Sequence, residues 1–497
     1  MTKKLLILLL LCITSALHAA NYLTFTAEAD SSSFGIHSEG DNKPDVQYSL
    51  DGGKIWTRLT NDTLIPLPNK KKALLRGYNP QGISRGDSSF TRFVMTGRIA
   101  AKGSMMSLID GKGESLVIPR EYCFYHLFEE CSSLTQAPQL PAKTLTEGCY
   151  YGLFSGCASL KKSPRLPATT LKEACYAWMF SQCINLTQAS ELPATTLADE
   201  CYYMMFANCT NLIQAPKLPA QTLTVGCYNG MFGGCTSLQK VPRLSASELA
   251  DRCYELMFAG CTSLTQAPKL PATTLKEACY AWMFYECTSL KKAPELPATT
   301  LANSCYHRMF CSCTNLVQAS KLPATTLADE CYLEMFAYCT NLTQAPQLPA
   351  TTLAKKCYAT MFWGCTNLTQ APQLPATTLA KECYSGMFSE CTNLKKAPRL
   401  PATELAALCY GLMFYKCTNL TQAPQLPATT LATGCYYGMF NRCTNLTEIN
   451  VGFTRWDFGT SRWLFGVAPN GTFICPEELP KEYGENRIPE GWKTIKK

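Results

Sequence analysis

The stretch "LPATTLKEACYAWMF" occupies Leu166–Phe180, and the same fifteen letters return unchanged at Leu270–Phe284, 104 residues later. The cysteines show the same regularity, because they form two series in which each member follows the last by 26 residues. One series starts at Cys123 and the other at Cys131, and together they mark thirteen units. A fixed period of this length predicts a solenoid or a propeller-like array. The duplicated stretch is therefore one repeat that recurs four units along the chain.

Each unit predicts a helix, a short strand and a turn. Apolar residues recur every four positions, at Leu171, Cys175, Met179 and Cys183. This spacing is typical of the buried face of an α-helix, and Thr170 with Glu173 matches a capping box at its start. The following "TNLTQAP" predicts a short extended segment that ends at proline, because proline has no N–H to donate to a sheet ladder. The segment "LPATT" then predicts the turn back to the next helix.

A single such unit cannot bury its apolar stripe, whereas stacked units can. Parallel strands stack about 4.8 Å apart, and helices are wider, so the array must curve. The predicted fold is an α/β repeat: a curved, right-handed solenoid of thirteen 26-residue strand–turn–helix units over residues 109–448.

The recurring "MFxxCTNLTQAPxLP" resembles the repeat core of the BspA-like leucine-rich repeat surface proteins of bacteria, over about residues 108–450. Two features depart from that family. The units here are longer around "APxLPATT", and a cysteine stands where an aliphatic residue is common. The resemblance implies a leucine-rich repeat solenoid at the bacterial surface that acts in adhesion.

The two ends of the chain lie outside the period. Residues 21–108 alternate apolar and polar positions between Gly, Asn and Asp turns, which predicts a small all-β sandwich. Within it, "SLDGGKIW" (Ser49–Trp56) resembles an Asp-box hairpin, and the alternative is a tight hairpin with Trp56 packed on the sheet. Residues 449–497 are expected to form a C-terminal cap over the last apolar face. Its expected capping residues are Trp463, Phe465 and Trp492.

Residues 1–20 predict a secretory signal peptide, with Lys3 and Lys4 before an apolar stretch and small residues for cleavage after Ala19 or Ala20. Lipid anchoring at Cys12 is not expected, because Leu11 precedes it where a small residue is needed. We therefore expect an exported protein, at the cell surface or secreted, without a membrane span. The net charge of +8 does not by itself indicate nucleic-acid binding.

The cysteines, 29 in the whole chain, allow three interpretations. Buried thiols are favoured, since free cysteine packs as a small apolar residue. Disulfides are the alternative in an exported chain, although Cys175 and Cys183 would be about 12 Å apart on a helix, beyond the reach of a bridge. Metal binding is disfavoured, because the spacing is C-x7-C and histidine is scarce. We expect no metal and no cofactor.

Positions that vary between the repeats are the candidate binding residues. Exposed aromatic residues are common anchors in recognition, and lysines replace the usual Thr-Gln on the strand side. The candidates are Trp178, Trp282, Trp363, Tyr203, Tyr285, Tyr338, Lys162, Lys292 and Lys396, with Tyr415 and Tyr437 as further variable rings. The alternatives are that the rings pack between adjacent helices and that the lysines form a solvated face.

No catalytic arrangement is distinguished from the repeat background, so the chain is not expected to be an enzyme. The leading hypothesis is an exported adhesion or binding protein that uses the solenoid to contact host or bacterial surface proteins or glycans. The alternative is carbohydrate binding by the N-terminal β domain, with the repeats as a spacer.

Overall fold

The computed structural model describes residues 21–86 and 88–497. The expected signal peptide therefore lies outside the described residues. The chain divides into two compact units, the first ending at Arg243 and the second comprising Leu244–Lys497.

The first unit begins with strands that alternate buried and exposed residues, as in Leu23–Ala27, where every second side chain is buried. The strands β1 to β8 are Leu23–Ala27, Ser33–Ser38, Gln47–Ser49, Thr57–Arg58, Ile65–Pro66, Lys72–Arg76, Thr91–Thr96 and Ile99–Lys102. A ninth strand, β9, is Leu134–Gln136. They form a six-stranded sheet in the order β4-β3-β6-β1-β8-β9 and a three-stranded sheet in the order β5-β2-β7.

The two sheets face each other through phenylalanine rings. Phe25 of β1 contacts Phe34 of β2 at 5.4 Å and Phe93 of β7 at 5.2 Å between ring centroids. All three rings are buried. The expectation of an N-terminal sheet domain is confirmed.

The N-terminal sheets are hydrogen-bonded to the first repeat. Strand β8 pairs in parallel with β9, which belongs to that repeat, and the Phe93 N–H donates to the Leu127 carbonyl at 2.7 Å. The four-residue helix α1, Ser107–Asp110, lies at the junction. A cut at residue 108 would therefore leave unpaired backbone groups on both sides.

The predicted helix of each repeat is wrong. In the described residues, α1 is the sole α-helix, and residues 173–182 and their counterparts in the other repeats are successive turns. We call these segments the turn ladder and each stacked repeat a rung. Every fourth residue of the turn ladder has a positive φ: in one rung Ala174 (46°), Trp178 (58°) and Gln182 (59°). A run of α-helix cannot contain such residues.

The hydrogen bonds explain why turns replace the helix. Alternate N–H groups close turns within the rung, as Met179 does on the Tyr176 carbonyl at 3.3 Å. The intervening N–H groups donate to the next rung, as Phe180 does to the Met205 carbonyl at 2.9 Å. Half of the donors are thus satisfied only by stacking. An isolated repeat would leave these donors unpaired, so the turn ladder depends on its neighbours.

The four-residue spacing of the apolar stripe fits this backbone better than it fits a helix. Four residues of an α-helix turn through about 400°, so the stripe would drift by about 40° at each step. A four-residue turn unit has no such drift, and Cys175, Met179 and Cys183 are all fully buried. Beside them, Tyr176 stacks on Tyr202 of the next rung at 5.8 Å.

The strand side of each rung is shorter than predicted. After β9, the rungs are joined there by isolated parallel bridges, such as Lys162 with Gln188 in the first unit. In the second unit, Lys292, Gln318, Gln344, Gln370 and Lys396 form one continuous series of such bridges. The parallel stacking of repeats is therefore present, with one bridged residue in place of a strand.

The C-terminal residues continue the stack irregularly. Strand β10, Glu448–Asn450, pairs in parallel with β11, Thr472–Cys475, which pairs in parallel with β12, Lys493–Lys496. A short 3₁₀ turn, Phe458–Thr460, lies between β10 and β11.

Two of the three expected capping residues are buried. Trp463 is fully buried and contacts Tyr436 of the last regular rung at 6.3 Å, and Trp492 is 2% exposed. The expectation that Phe465 is also a capping residue is wrong, because its side chain is 47% exposed. Its ring lies on the outer face of the turn ladder, where the backbone of the cap continues that ladder.

Candidate binding surface

The turn ladder presents its variable side chains on an outer face, opposite the buried cysteines and phenylalanines. Trp178 and Trp282 both occupy left-handed positions, with φ of 58° and 59°. Each donates its N–H to the next rung at 2.8 Å, Trp178 to Tyr203 and Trp282 to His307. The backbone beneath each ring is therefore fixed by a hydrogen bond to its neighbour.

In the first unit, the predicted pair Trp178 and Tyr203 meet edge to face at 5.8 Å. A second aromatic group, which was not among the residues predicted from the sequence, lies in the first two rungs. Tyr125 contacts His126 at 4.1 Å and Tyr151 at 5.3 Å, and burial raises the pKa of Tyr151. The signal was present, because these residues occupy the same repeat positions as the predicted rings.

In the second unit, Trp282 is the centre of a mixed cluster. Its ring contacts Tyr285 at 5.0 Å and His307 at 5.5 Å. The Arg308 guanidinium lies 4.4 Å from the Trp282 ring centroid and is held by Glu334 at 2.8 Å. Burial, and then the positive charge of Arg308, lower the pKa of His307. The lowered pKa favours the neutral imidazole, and the charges of Arg308 and Glu334 oppose each other beside it.

Further along the second unit, an outer-face groove of about 600 Å³ gathers several of the predicted rings. Tyr338 packs on Trp363 at 5.0 Å, and Trp363 forms one end of the groove. Its other lining residues are Thr360, Ser385, Gly386, Ser389, Leu412, Tyr415, Tyr437, Gly438, Asn441, Arg442, Arg462 and Phe465. We call it the C-terminal groove. The structure thus brings Trp363 together with Tyr415 and Tyr437.

The predicted lysines lie elsewhere. We call the side of a rung that carries the isolated parallel bridges the bridged side. On this side, next to the "APxLP" prolines, lie the exposed Lys162, Lys292 and Lys396. Lys162 lines a groove of about 1000 Å³ in the first unit, and Lys292 lines one of about 770 Å³ in the second. Among the described residues, the linings of these two grooves include none of the predicted aromatic residues. The lysines and the rings therefore do not form one site.

The N-terminal hairpin uses its aromatic ring internally. Asp51 accepts hydrogen bonds from the Ser49 hydroxyl at 2.7 Å and from the N–H groups of Lys54 and Ile55 at 3.0 Å. The bond from Ile55 is the largest of the effects that lower the Asp51 pKa. The half-buried Trp56 indole donates to the Gly53 carbonyl at 3.0 Å. Arg76 covers one side of that indole, 4.1 Å from the ring centroid, and Tyr22 meets it edge-on at 5.3 Å.

The repeat cysteines are buried, and the second series has a bonding role. Cys183 donates its S–H to the Phe154 carbonyl of the preceding rung at 3.1 Å, and Cys209 repeats this bond on Phe180 at 3.1 Å. Burial raises the pKa of the Cys183 thiol to about 12. Cys175 and Cys183 are both thiols without a disulfide. Among the described residues, no group of three or more His, Cys, Asp or Glu side chains is arranged to hold a metal ion.

These features define a leucine-rich repeat protein whose rungs stack in parallel. The chain belongs to the family of the BspA type leucine rich repeat region (6 copies), which matches residues 115–239, 201–343, 245–369 and 331–457. No curated protein matches the chain. A crystal structure of a leucine-rich repeat protein from Bacteroides ovatus is similar at 17% identity and a TM-score of 0.43, covering 91% of this chain and 99% of that one. In the part of the chain that the structure describes, no helix has the length and apolar character needed to span a membrane.

Proposed function

We propose that this chain is an exported, non-enzymatic surface or secreted protein that binds host or bacterial proteins through the outer face of its turn ladder. The observation that carries the proposal is the placement of large rings at left-handed positions whose backbone is bonded to the next rung, as at Trp178 and Trp282. Leucine-rich repeats generally serve as extended binding surfaces, and membership of the BspA type family supports such a role here.

Rings in this setting are good anchors, because little conformational freedom is left to lose when a partner binds. Trp282 is already held by Tyr285, His307 and Arg308, and Trp178 by Tyr203. The rings recur along the rungs, and the C-terminal groove gathers only some of them. The expected mechanism is therefore avidity, in which many modest contacts combine over the outer faces of the two units.

The test measures binding of the purified full chain to a panel of extracellular-matrix proteins by surface plasmon resonance. Trp178→Ala, Trp282→Ala and Trp363→Ala are introduced singly and then together. Each should weaken binding by a modest factor, and the triple variant should weaken it by roughly the product of the three. The matched control replaces Lys162, Lys292 and Lys396 with Gln, which should change binding little. Loss of all binding with one tryptophan would refute avidity, and a larger effect of the lysines would move the site to the bridged side.

The duplicated stretch allows a second test. Deletion of residues 171–274 joins "LPATT" to "LKEACYAWMF", so the native fifteen-letter sequence is kept at the junction and four whole repeats are lost. Binding that falls gradually with the lost rungs supports a distributed surface. Unchanged binding would mean that the removed rungs take no part.

Export rests on residues 1–20 and is tested separately. The mature protein in the culture medium or at the cell surface should begin at Ala20 or Asn21, after cleavage behind Ala19 or Ala20. N-terminal sequencing checks this. A chain that retains Met1 in the cell would contradict export.

A further inference from the structure

The C-terminal groove contains a column in which large rings alternate with small polar residues. The column is formed by Trp363, Ser389, Tyr415, Asn441 and Phe465, one from each successive rung, and all five line the groove. Phe465 lies in the irregular C-terminal segment, yet its carbonyl accepts the Arg442 N–H at 2.7 Å. The Tyr415 carbonyl accepts the Glu390 N–H at 2.7 Å in the preceding rungs. Phe465 therefore continues the column in register.

The rings are thus spaced by two rungs. The rungs beneath them are evenly stacked, because the core rings of Phe388, Phe414 and Phe440 follow one another at 5.7 and 5.5 Å. Twice the usual spacing of parallel strands, about 4.8 Å, and the sum of the two core distances bracket the separation of rings two rungs apart at about 10–11 Å. This separation is close to the disaccharide repeat of an extended, β-linked polysaccharide, in which every second sugar presents the same face.

Polar groups lie between the rings, where sugar hydroxyls would project. The Ser389 hydroxyl donates to the Leu412 carbonyl at 3.0 Å, which leaves its oxygen free to accept. The Asn441 Oδ1 is buried and has no hydrogen-bond partner among the described residues. A buried polar atom without a partner is costly. The Asn441 side chain also lines the groove, where its amide can bond a sugar hydroxyl.

Small residues keep the groove open. Gly386 and Gly438 occupy left-handed positions, with φ of 61° and 55°, where the corresponding residues of other rungs include Trp178 and Trp282. The groove volume of about 600 Å³ is within the usual range for small-molecule sites, about 300–1,000 Å³.

We propose that the C-terminal groove binds an extended, β-linked glycan chain. The apolar C–H faces of alternate sugars stack on Trp363, Tyr415 and Phe465, and the hydroxyls of the intervening sugars bond to Ser389 and Asn441. Among the described residues, the lining includes Arg442 and Arg462 and no carboxylate. The groove can therefore accept either a neutral glycan or a glycan that carries acidic groups. This site goes beyond the proposed protein-binding surface and does not depend on it.

The test is isothermal titration calorimetry of the purified full chain with cellohexaose, chitohexaose and xylohexaose. Maltohexaose is the α-linked control, because its helical chain does not repeat in the same direction every second sugar. Binding of at least one β-linked hexasaccharide, with affinity that rises from the disaccharide to the tetrasaccharide, is expected. Trp363→Ala and Phe465→Ala should each lower the affinity by about two- to tenfold. The exposed Phe465 serves as the second variant if replacement of Trp363 disturbs folding.

Two matched controls locate the site. Trp178→Ala removes the same residue type from the outer face of the first unit, and Trp56→Ala removes the ring of the N-terminal hairpin. Neither should change the affinity. Failure of all three β-linked hexasaccharides to bind, equal binding of maltohexaose, or insensitivity to both groove variants would overturn the proposal. Loss of binding in Trp56→Ala would also overturn it, by moving the site to the β domain. Matrix-protein binding, measured on the same variants, fails or succeeds independently of these outcomes.

Discussion

Exchange of alanine and glycine at one column of the turn ladder should change stability in the direction opposite to that in a helix. Ala174 has φ of 46°, and Gly226 occupies the same repeat position two rungs later with φ of 57°. A left-handed conformation costs an L-residue about 1–2 kcal/mol, whereas glycine loses about 0.5–1 kcal/mol more than alanine in entropy on folding. Ala174→Gly should therefore stabilise the chain by about 0.5–1 kcal/mol, and Gly226→Ala should destabilise it by a similar amount.

The sites suit the comparison, because few other contacts change. A methyl group added at Gly226 would meet only the Glu200 Cγ, at 3.3 Å, and that side chain is flexible. The sequence predicted an α-helix at this position. In a helix, Ala174→Gly would instead destabilise the chain by about 1 kcal/mol. The sign of the change therefore separates the turn ladder from a helix.

The assay is urea unfolding of the full chain, with hydrogen exchange of the peptide that contains residues 171–183 as the local measurement. A change of about 1 kcal/mol corresponds to about a fivefold change in protection. Protection should rise in Ala174→Gly, and protection of the peptide around residue 226 should fall in Gly226→Ala. Opposite signs at both sites would refute the turn ladder, and a uniform response of the whole chain would refute local control of stability by each rung.

Three further predictions concern the core and the cap. Burial raises the pKa of Cys183 and Cys235 from 9.0 to about 12. The stability that these buried thiols contribute is therefore complete below pH 9 and is lost as the pH rises from 9 towards 12. A melting temperature that stays flat over this range would contradict the prediction. Cys183→Ala should cost about 1 kcal/mol in urea unfolding. It removes packing and the weak S–H bond, but the Phe154 carbonyl still accepts the Cys157 N–H at 3.1 Å. No change at all would mean that the site relaxes completely. Trp463→Ala should lower the free energy of unfolding by about 3–5 kcal/mol. The control Phe465→Ala should change it by no more than about 0.5 kcal/mol. Equal changes would refute the assignment of Trp463 as the capping residue.

The repeat period and the parallel stacking could be predicted from the sequence, because identical residues recur every 26 positions and must meet when the units stack. The helix could not be rejected by the apolar spacing alone. Three steps of about 40° spread the residues over about 120°, which is close to the width of an ordinary apolar stripe on a helix. A clearer signal lay in the glycines. Gly148, Gly152 and Gly156 are four residues apart, and all three adopt positive φ. The hydrogen bonds that stabilise the turns join different rungs, so no local pattern reports them.

The candidate rings were predictable as variable positions, but their grouping was not. Trp363 and Tyr415 stand in the same column two rungs apart, which the period itself implies. Phe465 was predicted as a capping residue, because it lies after the last regular repeat, where the 26-residue count no longer assigns positions. The hydrogen bond from the Arg442 N–H to the Phe465 carbonyl places Phe465 in the same column as Trp363 and Tyr415. The C-terminal groove therefore combines regular rungs with a segment whose register the sequence does not reveal.

The two identical fifteen-residue stretches show how one repeat can serve different surfaces. Their buried residues behave alike, since Cys175 and Cys279 are both fully buried. Their tryptophans do not, because Trp178 meets a tyrosine of the following rung, whereas Trp282 meets His307 and lies under Arg308. The chemistry on the outer face is thus determined by a pair of adjacent rungs and not by one repeat. Duplication of a repeat preserves the core at once, while a new neighbour gives the copied ring a new environment. A change in the order of repeats would therefore alter the chemistry of the outer face without a single substitution in the core.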